Sequence, residues 1–175
     1  EFSEELRRLK AERKAADFSD LEHWELELLI KETEDGFVRT EEAEKLSQRF
    51  DEVMVDEYQD TNAVQDAIFG ALSQEGRNLF MVGDVKQSIY GFRLADPSIF
   101  LAKYRAFSDA GEAADGAPRR VVLGQNFRSR ASVLDACNFI FEAVMGDTVG
   151  GLTYTAREAL YLGAAFPEPG AARYK

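Results

Sequence analysis

The sequence predicts an α/β fold with a mainly parallel sheet and flanking helices. Three apolar runs, at residues 52–56, 78–82 and 120–123, have the length of buried strands, and segments with helical spacing separate them. Polar residues follow each run: Asp56-Glu57, Gly83-Asp84 and Asn126-Phe127-Arg128. Because ligands lie beyond the carboxyl ends of parallel strands, these residues predict a shared ligand edge. Three strands are few for a complete sheet, which favours an incomplete domain.

The segment before the first predicted strand indicates helices. Residues 1–16 carry apolar residues at helical spacing, and Ser19 and Asp20 are candidate caps for a second helix. Residues 31–40 predict a turn, and residues 41–49 predict a short polar helix that leads into the strand.

Three more helices are predicted further along the chain. The first follows Thr61, the second has Asp96 as its cap with Pro97 at its first position, and Ser129 is the candidate cap of the third. Cys137 lies on the apolar stripe of this third helix, which predicts a buried small hydrophobic residue.

The stretch from Asp109 to Pro118 is rich in alanine, glycine and aspartate, which is typical of a linker. It divides the sequence into two expected domains, residues 1–117 and residues 118–175. Beyond Gly146 the helical periodicity fades, and we expect an irregular tail or a truncated element there.

Composition excludes several classes of function. The formal net charge of −11 lacks the basic footprint of most nucleic-acid-binding proteins, so any DNA contact must be local and rely on stacking. Cys137 is the only cysteine and His23 the only histidine, which excludes an internal disulfide, a cysteine-rich zinc site and a histidine-based triad. No apolar stretch approaches the roughly 20 residues of a membrane span. We expect a cytoplasmic protein without membrane contact.

An acidic pair follows the first predicted strand. An NTP-driven motor needs one carboxylate to hold Mg²⁺ and a second to position or deprotonate water, and Asp56 and Glu57 have the right chemistry and place. An isolated pair of this kind is more often a solvated turn. The dense polar run that follows, Gln59 to Asn62, favours the catalytic interpretation.

The segment after the second predicted strand combines a neutral amide with aromatic residues. Gln87 can hydrogen-bond a phosphate oxygen without adding charge. Tyr90 and Phe92 flank a glycine and precede Arg93, which are the components of a stacking platform for single-stranded nucleic acid. Arg128, just past the third strand, has the place and charge to stabilise a γ-phosphate.

These segments resemble the motifs of superfamily 1A helicases, the UvrD, Rep and PcrA group. The matching segments are residues 17–21 (an Asp-Phe-x-x-Leu sequence), residues 56–62 (motif II), residues 82–93 (motif III) and residues 126–129 (motif IV). The run from Gly83 to Phe100 is closer to the AddA/RecB-type helicase–nucleases than to UvrD. The resemblance covers about residues 17–145.

The resemblance implies a role for each residue of the nucleotide site. Asp56 would coordinate Mg²⁺ and Glu57 would act as the base for the attacking water. Gln87 would sense the γ-phosphate and couple it to the DNA site. Phe127 would stack on the adenine of ATP, and Arg128 would reach the γ-phosphate from a second motor domain.

The resemblance also implies a DNA site. Tyr90 and Phe92 would stack on bases of single-stranded DNA, with Arg93 in support. The family usually has an acidic or neutral residue where this chain has Lys86, which we expect to face solvent, and its UvrD branch often has tryptophan at Phe92. These departures fit the AddA-like branch.

The chain contains no G-x-x-x-x-G-K-[ST] loop, so it has no P-loop lysine and no backbone cradle for the phosphates. We expect a middle fragment of a helicase that carries motifs II, III and IV: a partial RecA-like P-loop NTPase core without its P-loop strand. A sheet that lacks this strand has an exposed edge, so self-association is expected.

The resemblance implies an ATP-dependent 3′–5′ DNA helicase or translocase that acts in double-strand-break repair and recombination. Its partners would be single- and double-stranded DNA and a nuclease subunit of the AddB type. The fragment alone is expected to be inactive.

Two alternatives remain open on the sequence alone. One is a non-catalytic binding or regulatory module that keeps the RecA-like fold without a P-loop. The other is a metal nuclease built on Asp56, Glu57 and Asp60, although no separate acidic and lysine nuclease motif is present.

Overall fold

The computed structural model describes residues 2–33, 36–146, 148 and 151–167. The chain divides into two compact units, Glu1–Ala106 and Phe107–Lys175, and each is described by itself. Helices alternate with short strands in both units, and three of the four strand pairs are parallel, which confirms the α/β class. The assignment of residues 1–117 and 118–175 to two motor domains stays a prediction.

Helices and strands have the following bounds in the described ranges. The α-helices are α1 (Phe2–Arg13), α2 (Phe18–Leu29), α3 (Glu41–Ser47), α4 (Ala63–Leu72), α5 (Pro97–Ala106) and α6 (Ala131–Val144). The strands are β1 (Ile30–Thr33), β2 (Gly36–Arg39), β3 (Val53–Val55), β4 (Leu79–Met81), β5 (Ser108–Asp109), β6 (Arg119–Arg120), β7 (Gln125–Asn126) and β8 (Tyr161–Leu162). No helix among these residues is long and apolar enough to cross a membrane.

The cap of α2 differs from the prediction. Asp17, not Ser19 or Asp20, is the N-cap residue: its backbone is extended and its carboxylate accepts the N–H of Asp20 at 3.0 Å. The Asp20 carboxylate accepts the Asp17 N–H at 2.9 Å, which completes a reciprocal capping box. Lys10 pairs with both carboxylates at 2.7 Å and so connects α1 to the start of α2.

The predicted turn at residues 31–40 is instead an antiparallel hairpin of β1 and β2, in which Ile30 pairs with Arg39 and Thr33 with Gly36. The strands were missed because their side chains are mostly exposed and charged residues interrupt the apolar pattern. Residues 34 and 35, where the turn was centred, lie outside the described residues.

The core of the first unit lies between α2, α3 and α4. Leu29, Ala43, Ile68 and Ala71 are buried together there. Thr40 caps α3 by accepting the Ala43 N–H at 3.1 Å, and its hydroxyl donates to the Leu28 carbonyl at 2.8 Å, which fixes the entry of α3 against α2. The predicted helices after Thr40 and Thr61 are thus confirmed.

The two strands that position the site, β3 and β4, are parallel, as predicted. Val53 pairs with Leu79, and Val55 with Met81. One face of this pair is open, since Met54 and Phe80 lie opposite each other and are 68% and 60% exposed. Helix α5 begins at Pro97, as predicted, and ends one residue before Phe107.

The second unit departs from the sequence expectations in four places. Strand β6 is only two residues long, because its partner β5 is equally short, and Val121 and Leu123 beyond it are 69% and 82% exposed. Helix α6 has Arg130 as its N-cap residue, not Ser129. Cys137 is half-buried, not buried. The segment beyond Gly146 contains β8, which pairs with β7.

Gly83, just after β4, allows a close approach that we expect to control stability. A Cβ there would lie 2.8 Å from Gln59 Oε1 and 3.1 Å from Phe100 Cε1. Gly83→Ala should therefore lower the free energy of unfolding by about 1–3 kcal/mol. Gly70 in α4 has no atom within 4 Å of the same position, so Gly70→Ala should raise it by about 0.5–1 kcal/mol.

Urea denaturation of both variants beside the wild type measures this contrast. Equal effects of the two substitutions would show that the close contact at Gly83 is not limiting.

Candidate functional site

The acidic pair lies at the carboxyl end of β3, as predicted. Asp56 and Glu57 are both exposed, and the Glu57 N–H donates to Asp56 Oδ1 at 2.8 Å. Glu57 adopts a left-handed backbone conformation, with φ +52° and ψ +41°. This conformation costs a residue with a side chain about 1–2 kcal/mol. A strained residue of this kind is typical of functional sites.

The side chain of Gln59 connects the motif II segment to the motif III segment. It is 1% exposed, its Nε2 donates to Glu57 Oε2 at 2.6 Å, and its Oε1 accepts the Asp84 N–H at 2.9 Å. Gln87 then donates from Nε2 to Asp84 Oδ2 at 3.0 Å. A continuous set of hydrogen bonds thus runs from Glu57 to Gln87. Sequence reasoning assigned no role to Gln59, and its signal was a neutral amide two residues after an acid at a strand end.

Asp84 and Lys86 form an ion pair between the two predicted site segments. Burial would raise the pKa of Asp84, but hydrogen bonds from Lys86 and Gln87 and the charge of Lys86 outweigh it, so the pKa lies below its usual value. Lys86 Nζ lies 2.9 Å from Asp84 Oδ1, and the Lys86 side chain is 14% exposed. The expectation that Lys86 faces solvent was therefore wrong.

Tyr58 anchors the acidic pair from below. It is fully buried between Phe69 and Phe100, with each ring centroid 6.0 Å away. Its hydroxyl donates to Asp66 Oδ1 at 2.5 Å, and Lys103 pairs with the same oxygen at 3.0 Å. Burial and the Asp66 carboxylate raise the pKa of Tyr58, which keeps the hydroxyl protonated as a donor.

The aromatic residues of the motif III segment form a compact platform with arginine. The Tyr90 and Phe92 rings lie 6.0 Å apart, and the Arg93 guanidinium carbon lies 5.6 Å from each ring centroid. Phe92 is 77% exposed and Tyr90 39%. The structure thus brings together the three predicted DNA-contact residues, with aromatic surface open to solvent.

Phe127 and Arg128 belong to the second unit and follow β7. Asn126 Oδ1 accepts the backbone N–H groups of Arg128 at 2.9 Å and Ser129 at 2.8 Å, which sets the turn after the strand. Both Phe127 and Arg128 are exposed. Strand β7 pairs with β8, so the predicted shared edge is seen for the first two strand ends only.

No group of three or more His, Cys, Asp or Glu side chains in the described ranges is placed to hold a metal ion. A nuclease centre built on Asp56, Glu57 and Asp60 therefore has no support from the structure. A single carboxylate such as Asp56 remains suitable for Mg²⁺, which proteins commonly bind through one or two carboxylates together with substrate phosphates.

An acidic pair and an aromatic–arginine platform at neighbouring parallel strand ends are features of a nucleic-acid motor. The family model described as "UvrD/REP helicase N-terminal domain" matches residues 1–108. The chain therefore belongs to the UvrD/REP helicase family. The match is to the N-terminal domain of that family, and the motif IV segment lies outside it.

Relatives of the chain are named as AddA-type subunits of an ATP-dependent helicase/nuclease. The Bacillus pumilus protein is 49% identical over 96% of this chain, and the Lachnoclostridium phytofermentans protein is 46% identical over 97% of it. The Pelotomaculum thermopropionicum protein is 49% identical over 95% of it. The chain spans only 12–14% of the length of these relatives.

The ion pair at Asp84 predicts a specific loss of stability in acid. The folded state holds the lowered pKa and unfolding restores the usual value of about 3.9, so the stabilisation is complete above that pH. It is lost as the pH falls through the lower, folded-state pKa. Asp84→Asn and Lys86→Met should both make the decrease in unfolding free energy below about pH 4 shallower than in the wild type.

Urea denaturation of the purified proteins across that pH range measures the slope. A wild-type slope in both variants would show that this pair does not contribute to acid sensitivity.

Proposed function

We propose that this chain supplies motifs II, III and IV of an ATP-dependent DNA helicase that translocates 3′–5′ along single-stranded DNA. The observation that carries the proposal is the set of hydrogen bonds from Glu57 through Gln59 and Asp84 to Gln87. It joins the acidic pair to the segment that bears the aromatic platform. A motor needs such a connection because nucleotide state must change DNA contact.

In the proposed site, Asp56 holds the magnesium ion of Mg-ATP. Its exposed oxygens at the strand end are the hard donors that Mg²⁺ prefers, and the bound ion would neutralise charge that develops on the phosphates. Glu57 orients the attacking water and accepts its proton. The hydrogen bond from Gln59 to Glu57 Oε2 holds this carboxylate in position before nucleotide binds.

The remaining nucleotide contacts come from the ends of other strands. Gln87 offers its amide to the γ-phosphate and passes the change to Asp84, to which it is already bonded. Phe127 stacks on adenine, and Arg128 approaches the γ-phosphate; both are exposed and follow a strand end in the second unit.

Single-stranded DNA binds at the platform of Tyr90, Phe92 and Arg93. The exposed ring surface stacks on bases, and Arg93 offers a positive charge to the backbone. This local arrangement fits a protein with a net charge of −11, because stacking does not require a basic surface.

We also propose that the chain is a middle part of a RecA-like motor core that lacks the P-loop strand. Parallel sheets are normally covered on both faces, yet Met54 and Phe80 leave one face of β3 and β4 open. The chain alone is then inactive and tends to self-associate through this apolar surface. Its coverage of 12–14% of the relatives' length is consistent with this proposal.

The relatives' shared name suggests the setting of the motor. A protein named as one subunit of a helicase/nuclease implies a second polypeptide, which we propose is a nuclease partner of the AddB type. The complex would act in the cytoplasm on double-stranded DNA ends during break repair and recombination, with single strands as the track.

Glu57→Gln, made in the whole protein that carries this chain, tests the catalytic proposal. It should abolish ATP hydrolysis but leave Mg-ATP binding intact, because the amide keeps its shape and its hydrogen bond from Gln59 but accepts no proton. Steady-state turnover and nucleotide binding are measured side by side. Glu52→Gln, at the other end of β3, is the matched control and should retain turnover.

The same assay tests the inactivity of the chain by itself. ATP turnover by the purified 175-residue chain, lost on Glu57→Gln, would contradict the fragment proposal.

The DNA platform is tested by Tyr90→Ala combined with Phe92→Ala in the whole protein. Affinity for single-stranded DNA should fall by about 1–3 kcal/mol for each base that loses its stacking partner. Fluorescence anisotropy with labelled oligonucleotides measures it. Phe37→Ala removes an aromatic residue of the hairpin that is 78% exposed, and it should leave affinity unchanged. Unchanged affinity in the double variant would remove these rings from the DNA path.

A further inference from the structure

We propose that a cavity beside the DNA platform is a subsite for a nucleobase with an exocyclic amino group, with Asp60 as the hydrogen-bond acceptor. The inference deepens the proposed function and depends on its DNA site. The cavity has a volume of about 500 Å³, within the range of about 300–1,000 Å³ that is typical of small-molecule sites.

Three segments of the first unit meet around this cavity. They are the start of α2 (Phe18), the end of the motif II segment with the start of α4 (Asp60, Asn62 and Gln65), and the platform (Tyr90 and Arg93). The sequence marked all three segments, but the motif roles give no function to Phe18 or Asp60. The cavity thus lies where these segments meet, beside residues already proposed to stack on DNA.

Most polar groups around the cavity already have partners. Gln65 Nε2 donates to Glu22 Oε1 at 2.7 Å. The Gln65 N–H donates to Asn62 Oδ1 at 2.9 Å, and Gln65 Oε1 accepts the Asn62 N–H at 3.3 Å in the capping box of α4. These side chains are therefore held in place by the fold itself.

Asp60 is different. Its Oδ1 is buried and has no hydrogen-bond partner among the described residues. A buried acceptor without a donor is unfavourable, so a ligand that brings an N–H group to it gains a bond without breaking one. The missing partner must be a donor, because a carboxylate only accepts.

The surroundings define the ligand further. Tyr90 offers a ring face for a planar group, and Arg93, stacked on the platform, offers positive charge to a phosphate attached to that group. A planar ring with a hydrogen-bond donor edge and a linked phosphate is a nucleotide. Adenine, cytosine and guanine carry exocyclic amino groups, whereas thymine has none, and carbonyl oxygens flank its single ring N–H.

Homopolymer binding by the whole protein tests this subsite. At pH 8, where cytosine is neutral, the ratio of oligo-dC to oligo-dT affinity is measured by fluorescence anisotropy for the wild type and for variants at residue 60. The wild type should favour oligo-dC, and Asp60→Ala should lower the ratio by about tenfold, the effect of one good acceptor–amino contact.

Asp60→Asn is isosteric and provides a second, sharper variant. Its amide both donates and accepts, so it fits thymine as well as cytosine, and the affinity ratio should approach one through tighter oligo-dT binding. Asp51→Ala removes the same charge from an exposed site before β3 and should keep the wild-type ratio. Circular dichroism melts confirm that all variants are folded.

Free deoxycytidine monophosphate distinguishes the two sources of such a base. If the subsite serves a base within a strand, millimolar amounts should fail to displace oligo-dC. Displacement that is lost in Asp60→Ala would overturn the strand assignment in favour of a free nucleotide.

The outcomes separate this inference from the proposed function. Equal changes of oligo-dC and oligo-dT affinity in Asp60→Ala, or no change in either, would overturn the subsite. If Tyr90→Ala with Phe92→Ala still weakens binding in that case, the DNA platform stands. No effect of that double variant would overturn the platform, and the subsite would fall with it.

Discussion

The buried turn at Tyr58 and Gln59 is the constraint on which the described site depends. Tyr58 is held below the sheet by two aromatic rings and by Asp66, while Gln59 is held above it by Glu57 and Asp84. The Tyr58 N–H also donates to the Val82 carbonyl at 2.8 Å, so the turn is bonded to the end of the second strand. With both neighbours fixed, Glu57 keeps its left-handed conformation. The acid is thus positioned by burial of the two residues that follow it.

Parts of the fold could be predicted because their sequence signals are local and strong. Strands β3 and β4 are apolar and bounded by polar turns, and Asp96-Pro97 marks the start of α5. The hairpin of β1 and β2 was missed because exposed strands need no apolar alternation. The two-residue strands of the second unit depend on partners distant in sequence, which no local pattern reports.

The caps show why single residue types predict poorly. Ser19 and Asp20 looked suitable for α2, yet Asp17 is the cap because Asp20 lies three residues later and returns a hydrogen bond. At the site, the residues with exposed functional groups were predictable from their motifs. Tyr58 and Gln59 were not, since their contribution is made by burial. Lys86 was misjudged for the same reason: its ammonium finds Asp84 only after the chain turns.

The amide of Gln59 carries one more consequence. Its oxygen and nitrogen are nearly equal in size, so shape alone would accept the side chain in either orientation. Turned over, it would set oxygen against the Glu57 carboxylate and nitrogen against the Asp84 N–H, and both contacts would be repulsive. The two segments are therefore joined like a keyed plug and socket, which mates in one sense only. The register between the acid and the segment after β4 is encoded in the polarity of one amide group.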